Sequence, residues 1–397
     1  MIDFMIKRNI EPILKTLATQ YPVVTITGPR QSGKTTLCRH AFPHKKYVNL
    51  ESLDTRQFAT DDPRGFLAGY PDGAILDEIQ RTPHLLSYIQ AIVDEHQIPG
   101  MFILTGSQQF EVLNTINQSL AGRTALLKLL PLSISELKDS HPITSIDKFI
   151  LTGFYPRIYD HDLNPTLAMG DYFETYVERD IRQLIAIKDL AIFEKFVKLC
   201  AGRIGQILNL QSLANDVGIS HTTARTWITL LEASYIIFIL RPWFRNFSKR
   251  LIKSPKLYFY DVGLASYLLG LENELHVSRD PLRGNLFENL AVMETLKFRF
   301  NQGKRSNLNF YRDSKGNEVD LLIEVGPDIF PVEIKMGATV TPDYFKGIKS
   351  FTKVVPDLPW GSGLIYGGNE VQSRSGVNVY PVWDISKMLE LLDGKAG

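Results

Sequence analysis

The chain has 397 residues, of which 44% are hydrophobic, 11% aromatic and 22% charged. That composition excludes a disordered, collagenous or low-complexity chain, and the length predicts two or three domains. Lys plus Arg number 44 and Asp plus Glu 43, a net charge of +1, which excludes a uniformly basic nucleic-acid coat protein and leaves room for a local basic patch.

Residues 1 to about 130 alternate short apolar strands with helical patterns. Strands are expected at Val23–Thr27, Lys46–Leu50, Ala74–Leu76, Met101–Thr105 and Ala125–Leu129. Such alternation predicts an α/β fold with a parallel sheet covered by helices. Residues 131–205 read mostly as helix, and 206–245 as a small helical unit ending in a short apolar strand. From Pro281 a helix over Asn285–Phe300 precedes strands at Glu318–Glu324 and Phe330–Lys335, which makes a second α/β unit.

The strand Val23–Thr27 runs directly into Gly28, Pro29, Arg30, Gln31, Ser32, Gly33, Lys34, Thr35 and Thr36. This fits GxxxxGK[ST] in the strand–loop–helix context that gives the motif its meaning. The glycines let the backbone wrap phosphate closely, so that its amides face the oxygens. The following helix presents the positive end of its dipole. Lys34 is placed to reach the β- and γ-phosphates of a nucleotide and the Thr35 hydroxyl to ligate Mg2+. The apolar strand after Gly73 ends in Asp77-Glu78. Asp77 is expected to hold the metal, directly or through water, and Glu78 to act as general base on the attacking water. An acidic pair at a strand end is otherwise an ordinary solvated loop; the phosphate loop makes the difference. The strand Met101–Thr105 ends in Gly106-Ser107, where Thr105 or Ser107 can orient the γ-phosphate or the water, since ligands gather at the carboxyl ends of such strands.

TGPRQSGKTT, ILDEIQ, LTGSQQF, SLAGRTALLKLLPLS and YVERDIRQL together resemble an AAA+ ATPase, in the prokaryotic family that joins this ATPase to a C-terminal domain of unknown function. The resemblance runs over nearly the whole chain. It implies ATP as the nucleotide, Ser107 as the polar sensor after the third motif strand, and Arg123 as a finger into a neighbouring subunit, hence a homo-oligomer. Arg179 and Arg182 are weaker candidates for a lid sensor.

Leu213–Ile219 and Ser220–Leu231 read as a short amphipathic helix, a glycine turn and a longer helix capped by Ser220. The unit resembles a winged helix-turn-helix, which sets His221, Thr222, Thr223 and Arg225 near the start of a recognition helix. Such units also serve purely for packing. Between Ala233 and Tyr260 there is no acid, while Arg241, Arg245, Lys249, Arg250, Lys253 and Lys256 are interleaved with Trp243, Phe244 and Phe247. Bases with aromatics suit a nucleic-acid backbone and stacked bases; the same segment is open to feeding arginines to a neighbouring ATP site.

In the last α/β unit, side chains alternate along the strands. Glu333 and Lys335 therefore share one face, and Asp320 on the preceding strand can sit beside Glu333. Paired carboxylates make an oxygen site for Mg2+ or Mn2+, an adjacent lysine can activate water, and Glu288 on the preceding helix adds a further carboxylate. Helix, strand and strand with this quartet resemble the PD-(D/E)xK nuclease fold, although the literal Pro-Asp is missing. A nuclease-like domain that only binds DNA, or only packs, carries the same pattern.

The organisation expected is an AAA+ core with a helical lid over 1–190, a winged-helix-like unit over 191–250 and a nuclease-like domain over 251–397. The function expected is ATP hydrolysis coupled to DNA, with a C-terminal domain that cuts or grips it. The rivals are a switch acting on a protein partner with an inactive nuclease-like scaffold, and a slow NTP-binding regulator. The only cysteines, Cys38 and Cys200, lie far apart; no disulfide framework or cysteine zinc cluster follows, which fits a reducing compartment. The apolar stretch 230–240 is interrupted by Glu232 and falls short of the ~18 residues of a membrane span. The start, MIDFMIKRNI, lacks the apolar core of a signal peptide. A cytoplasmic protein without membrane contact is the expectation.

Overall fold

A computed structural model describes residues 6–107, 119–142, 145–177, 189–244 and 254–396. The chain divides into two compact units. The first is Met1–Leu132 with Ala233–Tyr235 and Arg299–Arg305; the second is Ser133–Glu232, Ile236–Phe298 and Ser306–Gly397. The segment after Leu132, expected as a lid on the ATPase core, falls within the second unit.

The first unit is built on strands β1 (Val23–Thr27), β2 (Lys46–Asn49), β3 (Ala74–Asp77), β4 (Phe102–Gly106) and β5 (Thr124–Lys128), in the spatial order β2-β3-β4-β1-β5. All neighbours pair parallel. The central strands β1, β3 and β4 are buried at every position because both faces of the sheet are covered there. In β4, Phe102 and Leu104 pack into the core containing Phe66, Leu76 and Leu86, while the intervening Ile103 packs into the opposite core with Val24, Ile26 and Leu37. The register sets Ile26 beside Thr105, Thr27 beside Gly106 and Leu76 beside Leu104. The carboxyl ends of β1, β3 and β4 are thereby brought side by side.

The second unit opens with short helices, among them Ile146–Thr152, Pro165–Tyr172 and Leu190–Ala201. Helices Leu210–Val217 and His221–Ala233 follow, separated by Gly218 at φ +90°. Ser220 Oγ accepts the Thr223 N–H at 3.0 Å, the expected cap. Strands β6 (Ile237–Leu240) and β7 (Lys256–Phe259) form an antiparallel pair. The long helix Arg283–Asn301 then precedes a six-stranded mixed sheet of β8 (Leu308–Arg312), β9 (Glu318–Val325), β10 (Asp328–Lys335), β11 (Gly363–Tyr366), β12 (Gln372–Arg374) and β13 (Val377–Pro381), in the order β12-β13-β11-β10-β9-β8. Strands β8, β9 and β10 run as an antiparallel meander; β11 joins β10 in parallel.

The helix Arg283–Asn301 buries apolar side chains at successive positions, including Leu286, Phe287, Leu290 and Val292. Its buried polar residues Asn289, Glu294, Thr295 and Lys297 have partners, as burial demands. Asn289 pairs like a strand with the Phe259 backbone: its Oδ1 accepts the N–H at 2.7 Å and its Nδ2 donates to the carbonyl at 3.1 Å. Glu294 Oε2 accepts the Ile134 N–H at 2.8 Å, and its other oxygen meets Lys297 Nζ at 2.7 Å. No helix among the described residues is long and apolar enough to cross a membrane.

Asn289→Ala strands both Phe259 backbone groups in the core. Each such loss costs about 1–3 kcal/mol, so urea unfolding should show a loss on the order of 3 kcal/mol. A loss under about 0.5 kcal/mol would mean that the amide does not hold β7 to the helix.

Candidate active site

The phosphate loop begins where β1 ends. Gly28 tolerates no side chain, because a Cβ there would lie 2.0 Å from the Leu129 carbonyl oxygen. Gln31 and Gly33 take positive φ (58° and 90°), and the helix Lys34–Ala41 starts at Gly33. Buried Arg8 ties the loop to its surroundings, donating to the carbonyls of Ser32 (2.6 Å) and Leu130 (2.7 Å). Arg30 is largely buried and meets Glu51 at 3.4 Å, and Thr36 is exposed on the helix's first turn.

Lys34 is buried, and its Nζ donates to the loop carbonyls of Gly28 (3.0 Å) and Pro29 (2.7 Å). Burial pushes its ammonium below the usual lysine range, and Glu78 and Asp77 counter this only in part. Ser32 Oγ is fully buried and has no hydrogen-bond partner in the structure. A buried ammonium held only by loop carbonyls, beside an orphaned hydroxyl, fits an incoming phosphate chain.

Three hydroxyls from three elements converge on Asp77, which is itself buried at the end of β3. Thr35 Oγ1 and Tyr47 OH each donate to Oδ2 at 2.8 Å, and Thr105 Oγ1 donates to Oδ1. Burial, and then the bond to Asp77, push the Tyr47 phenol up, so it stays a donor. Thr35 and Asp77 together supply the hard oxygens that Mg2+ takes. Glu78 adopts a left-handed backbone (φ 59°), its N–H bonding Thr105 Oγ1 at 3.2 Å. Its carboxylate accepts from Ser107 Oγ at 3.0 Å and from Gln80 Nε2. The two hydroxyls left open by sequence reasoning thus divide: Thr105 orients Asp77, and Ser107 orients Glu78. Sequence reasoning missed Arg8 and Tyr47, which belong to no motif, and gave no role to Gln80, the last residue of ILDEIQ.

Arg123 lies at the other end of this sheet. Its carbonyl accepts the N–H of Val23, the first residue of β1, so the length of the strand, about 16 Å at ~3.3 Å per residue, separates it from its own phosphate loop. Its guanidinium forms a two-pronged pair with Asp94, one prong at 2.8 Å. Arg123 therefore stands away from its own phosphate loop. Arg179 and Arg182 lie outside the described residues.

On the helix His221–Ala233, Thr222, Arg225, Thr226 and Thr229 are exposed. Thr223 is a capping residue, its hydroxyl 2.8 Å from Ser220 Oγ. Arg245, Lys249, Arg250 and Lys253, with Phe247, lie outside the described residues. Lys256 does not belong to a basic surface: it is 2% exposed. Trp243 packs edge-on against Phe351.

Lys256 instead meets the C-terminal carboxylates. Its Nζ lies 2.8 Å from Glu288 Oε1 and 2.5 Å from Glu318 Oε1, and Tyr258 OH donates to the same Glu288 oxygen at 2.5 Å. Burial alone would depress this lysine, but Tyr258, Glu288, Asp320 and Glu318 hold it charged, well above its ordinary range. Glu333 and Lys335 share a face as expected, at 2.8 Å, and Lys335 also meets Asp320 Oδ2 at 2.6 Å. The Ile334 N–H donates to that oxygen at 2.9 Å. Burial pushes Asp320 up, but Lys335 and Lys256 outweigh it and hold it low. Burial and the neighbouring Asp320 push the Glu333 carboxyl up to about 8. Glu288, Asp320 and Glu333 do not form a common ligand set; among the described residues no three His, Cys, Asp or Glu side chains do so. The reason is that Glu288 is turned to Lys256 and Tyr258. This cluster does not fit a divalent ion, whereas Thr35 with Asp77 does.

Residues 20–138 match a family model described as an AAA domain. With the loop, the parallel sheet and the Asp77-Glu78 strand end, they define a P-loop AAA-type ATPase domain. Over 349 residues the chain is 30% identical to the uncharacterized protein Rv2008c of Mycobacterium tuberculosis and to the uncharacterized protein Mb2031c of Mycobacterium bovis, covering 87% of this chain and 76% of each relative. The chain belongs to the family of these mycobacterial proteins. Residues 143–275 and 283–385 match models of two domains of unknown function, DUF8612 and DUF4143, so the expected pairing of an AAA domain with such a C-terminal domain is present. Among solved structures, the Walker-type ATPase PABY2304 of Pyrococcus abyssi is similar at 13% identity and a TM-score of 0.45, over 66% of this chain and 96% of that one. A signal transduction ATPase with numerous domains, PH0952 of Pyrococcus horikoshii, is similar at 11% identity and a TM-score of 0.29, over 76% and 48%.

Tyr47→Phe removes one donor from Asp77 and leaves the ring in place. A bond to a charged group is worth about 1.5 kcal/mol, so MgATP binding should weaken roughly tenfold, while ATP binding in EDTA stays the same. A fluorescent ATP analogue titrated with and without Mg2+ reads this. Equal affinities in both conditions would reduce Tyr47 to a packing residue.

Proposed function

We propose that this protein is a magnesium-dependent ATP hydrolase whose cycle acts on DNA, and that its C-terminal domain grips DNA without cutting it. The observation that carries the first part is the convergence at one set of strand ends. The Lys34 ammonium is held there by loop carbonyls, and the Thr35–Asp77 oxygen pair and the Glu78 carboxylate by Thr105, Ser107 and Gln80. Lys34 leaves the loop carbonyls to take up the β- and γ-phosphate oxygens. Thr35 and Asp77 hold Mg2+, which supplies charge neutralisation to the phosphates. Glu78 accepts the proton of the attacking water, the new bond forms to the γ-phosphorus, and the bond to the β-γ bridging oxygen breaks. Arg123 stabilises the transferring group of a neighbouring subunit, for which it must leave Asp94.

The DNA part is supported by the helix His221–Ala233. Over residues 221–229 its exposed side chains are hydroxyls and Arg225, with no carboxylate, a surface that a phosphate backbone tolerates. The C-terminal arrangement of Glu288 on a helix and of Asp320, Glu333 and Lys335 on adjacent strands supports the PD-(D/E)xK resemblance. The lysines occupying those carboxylates favour gripping over cutting.

Glu78→Gln should keep nucleotide binding and lose turnover by a factor on the order of 10²–10⁴, the usual contribution of a general base. Lys34→Ala should lose binding itself. Arg123→Ala should lower turnover and be partly rescued by mixing with Glu78→Gln subunits. Unchanged phosphate release in the Lys34 and Glu78 variants would remove the site assignment. On linear, single-stranded and branched DNA, with Mg2+ or Mn2+ and ATP, the expected result is a gel shift, weakened in Arg225→Ala, without cleavage. Metal-dependent cutting that disappears in Glu333→Ala/Lys335→Ala would make the protein a nuclease. Absence of any shift would favour a switch acting on a protein partner.

A further inference from the structure

Lys256 reaches the C-terminal cluster from β7. Its backbone position is set by pairing with Leu240 of β6 and by a bridge to Ile207. Its ammonium lies between carboxylates from two different elements, Glu288 on the helix Arg283–Asn301 (2.8 Å) and Glu318 on β9 (2.5 Å). The Phe310 ring stands 5.6 Å away. Short contacts to carboxylate oxygens from separate elements, with an aromatic wall behind, form the environment of a bound cation.

Three further oxygens of the cluster meet cations as well. Lys335 bridges Asp320 and Glu333, and Arg312 meets Glu318 Oε2 at 3.0 Å. Glu333 Oε1 faces the backbone of Gly347 so closely that a Cβ there would lie 1.9 Å from it. Three cations, Lys256, Lys335 and Arg312, thus stand against four carboxylates. A divalent ion entering the cluster meets ammonium charges that repel it, in surroundings where screening is weak.

We propose that Lys256 is the resident cation of this cluster: its ammonium occupies the position between Glu288 and Glu318 that a divalent metal would otherwise take, and the domain keeps its carboxylates together without metal. The inference is independent of the nucleotide site. It assigns to a residue of the basic stretch an internal role in place of contact with a polyanion.

The test uses the full chain carrying Asp77→Asn, which removes the metal-holding carboxylate of the nucleotide site, with Mn2+ alone as the probe. With Lys256 present, calorimetric titration should show no Mn2+ binding that Asp320→Asn abolishes. In Lys256→Gln the unfolding midpoint should fall by several degrees. Millimolar Mn2+ should restore most of that loss, and adding Glu288→Gln should abolish the recovery. Mn2+ binding to the Lys256 protein that Asp320→Asn removes would overturn the proposal. So would a Lys256→Gln protein whose midpoint Mn2+ leaves unmoved. If Lys256→Gln does not fold, the titration of the Lys256 protein decides alone: silent heats support the proposal, and heats lost in Asp320→Asn overturn it.

Discussion

One buried carboxylate, Asp77, organises the nucleotide site. Its three hydroxyl partners come from the helix after the phosphate loop, from β2 and from β4. A buried carboxylate without donors would be costly, so the site coheres only when β3 is flanked by the strands that supply them. The parallel register meets this requirement by setting the ends of β1, β3 and β4 level. Hydroxyl donors also leave the charge of Asp77 uncompensated, which keeps it useful to a metal. The neighbouring Lys34 has the complementary problem: a buried positive charge with only carbonyls around it, which a phosphate chain would relieve.

The C-terminal sheet treats its carboxylates in the opposite way. Glu288, Glu318, Asp320 and Glu333 receive whole charges from Lys256, Lys335 and Arg312. A hydroxyl can share its carboxylate with an ion, whereas an ammonium competes with the ion for the same oxygens. The two clusters therefore look alike as lists of acidic residues and differ in what they can bind. The deciding feature is the identity of the donors around them.

Much of the first unit was legible. All five strands of the parallel sheet stand close to where the sequence predicted them; the central β1, β3 and β4 are buried throughout and read as near-continuous apolar runs, while the edge strands β2 and β5 are buried only in part. The phosphate loop and the Asp77-Glu78 strand end were legible because their chemistry is local: backbone, ammonium, hydroxyl and carboxylate at fixed spacing. The turn before His221 was legible for the same reason. The donors Tyr47 and Arg8 were not, since nothing near them in sequence marks them; Gln80 lies two residues after Glu78, and the left-handed turn at Glu78 brings its amide onto that carboxylate. Lys256 was misread as surface. A basic residue in an acid-free stretch of sequence gives no sign that acids from β9 and from the helix Arg283–Asn301 surround it in space.

The alternation of strands and helices, the phosphate loop, and the placing of Glu333 and Lys335 on one face are thus written in the order of the residues. These follow from periodicity and short spacing, which the chain carries locally. Long-range packing sets Arg123 a strand's length from its own loop, surrounds Asp77 with hydroxyls, and turns Glu288 to a lysine instead of to Asp320 and Glu333. Those outcomes depend on which distant segments pack together, and on the cost of burying a charge without a partner, which forces each buried ion to find one.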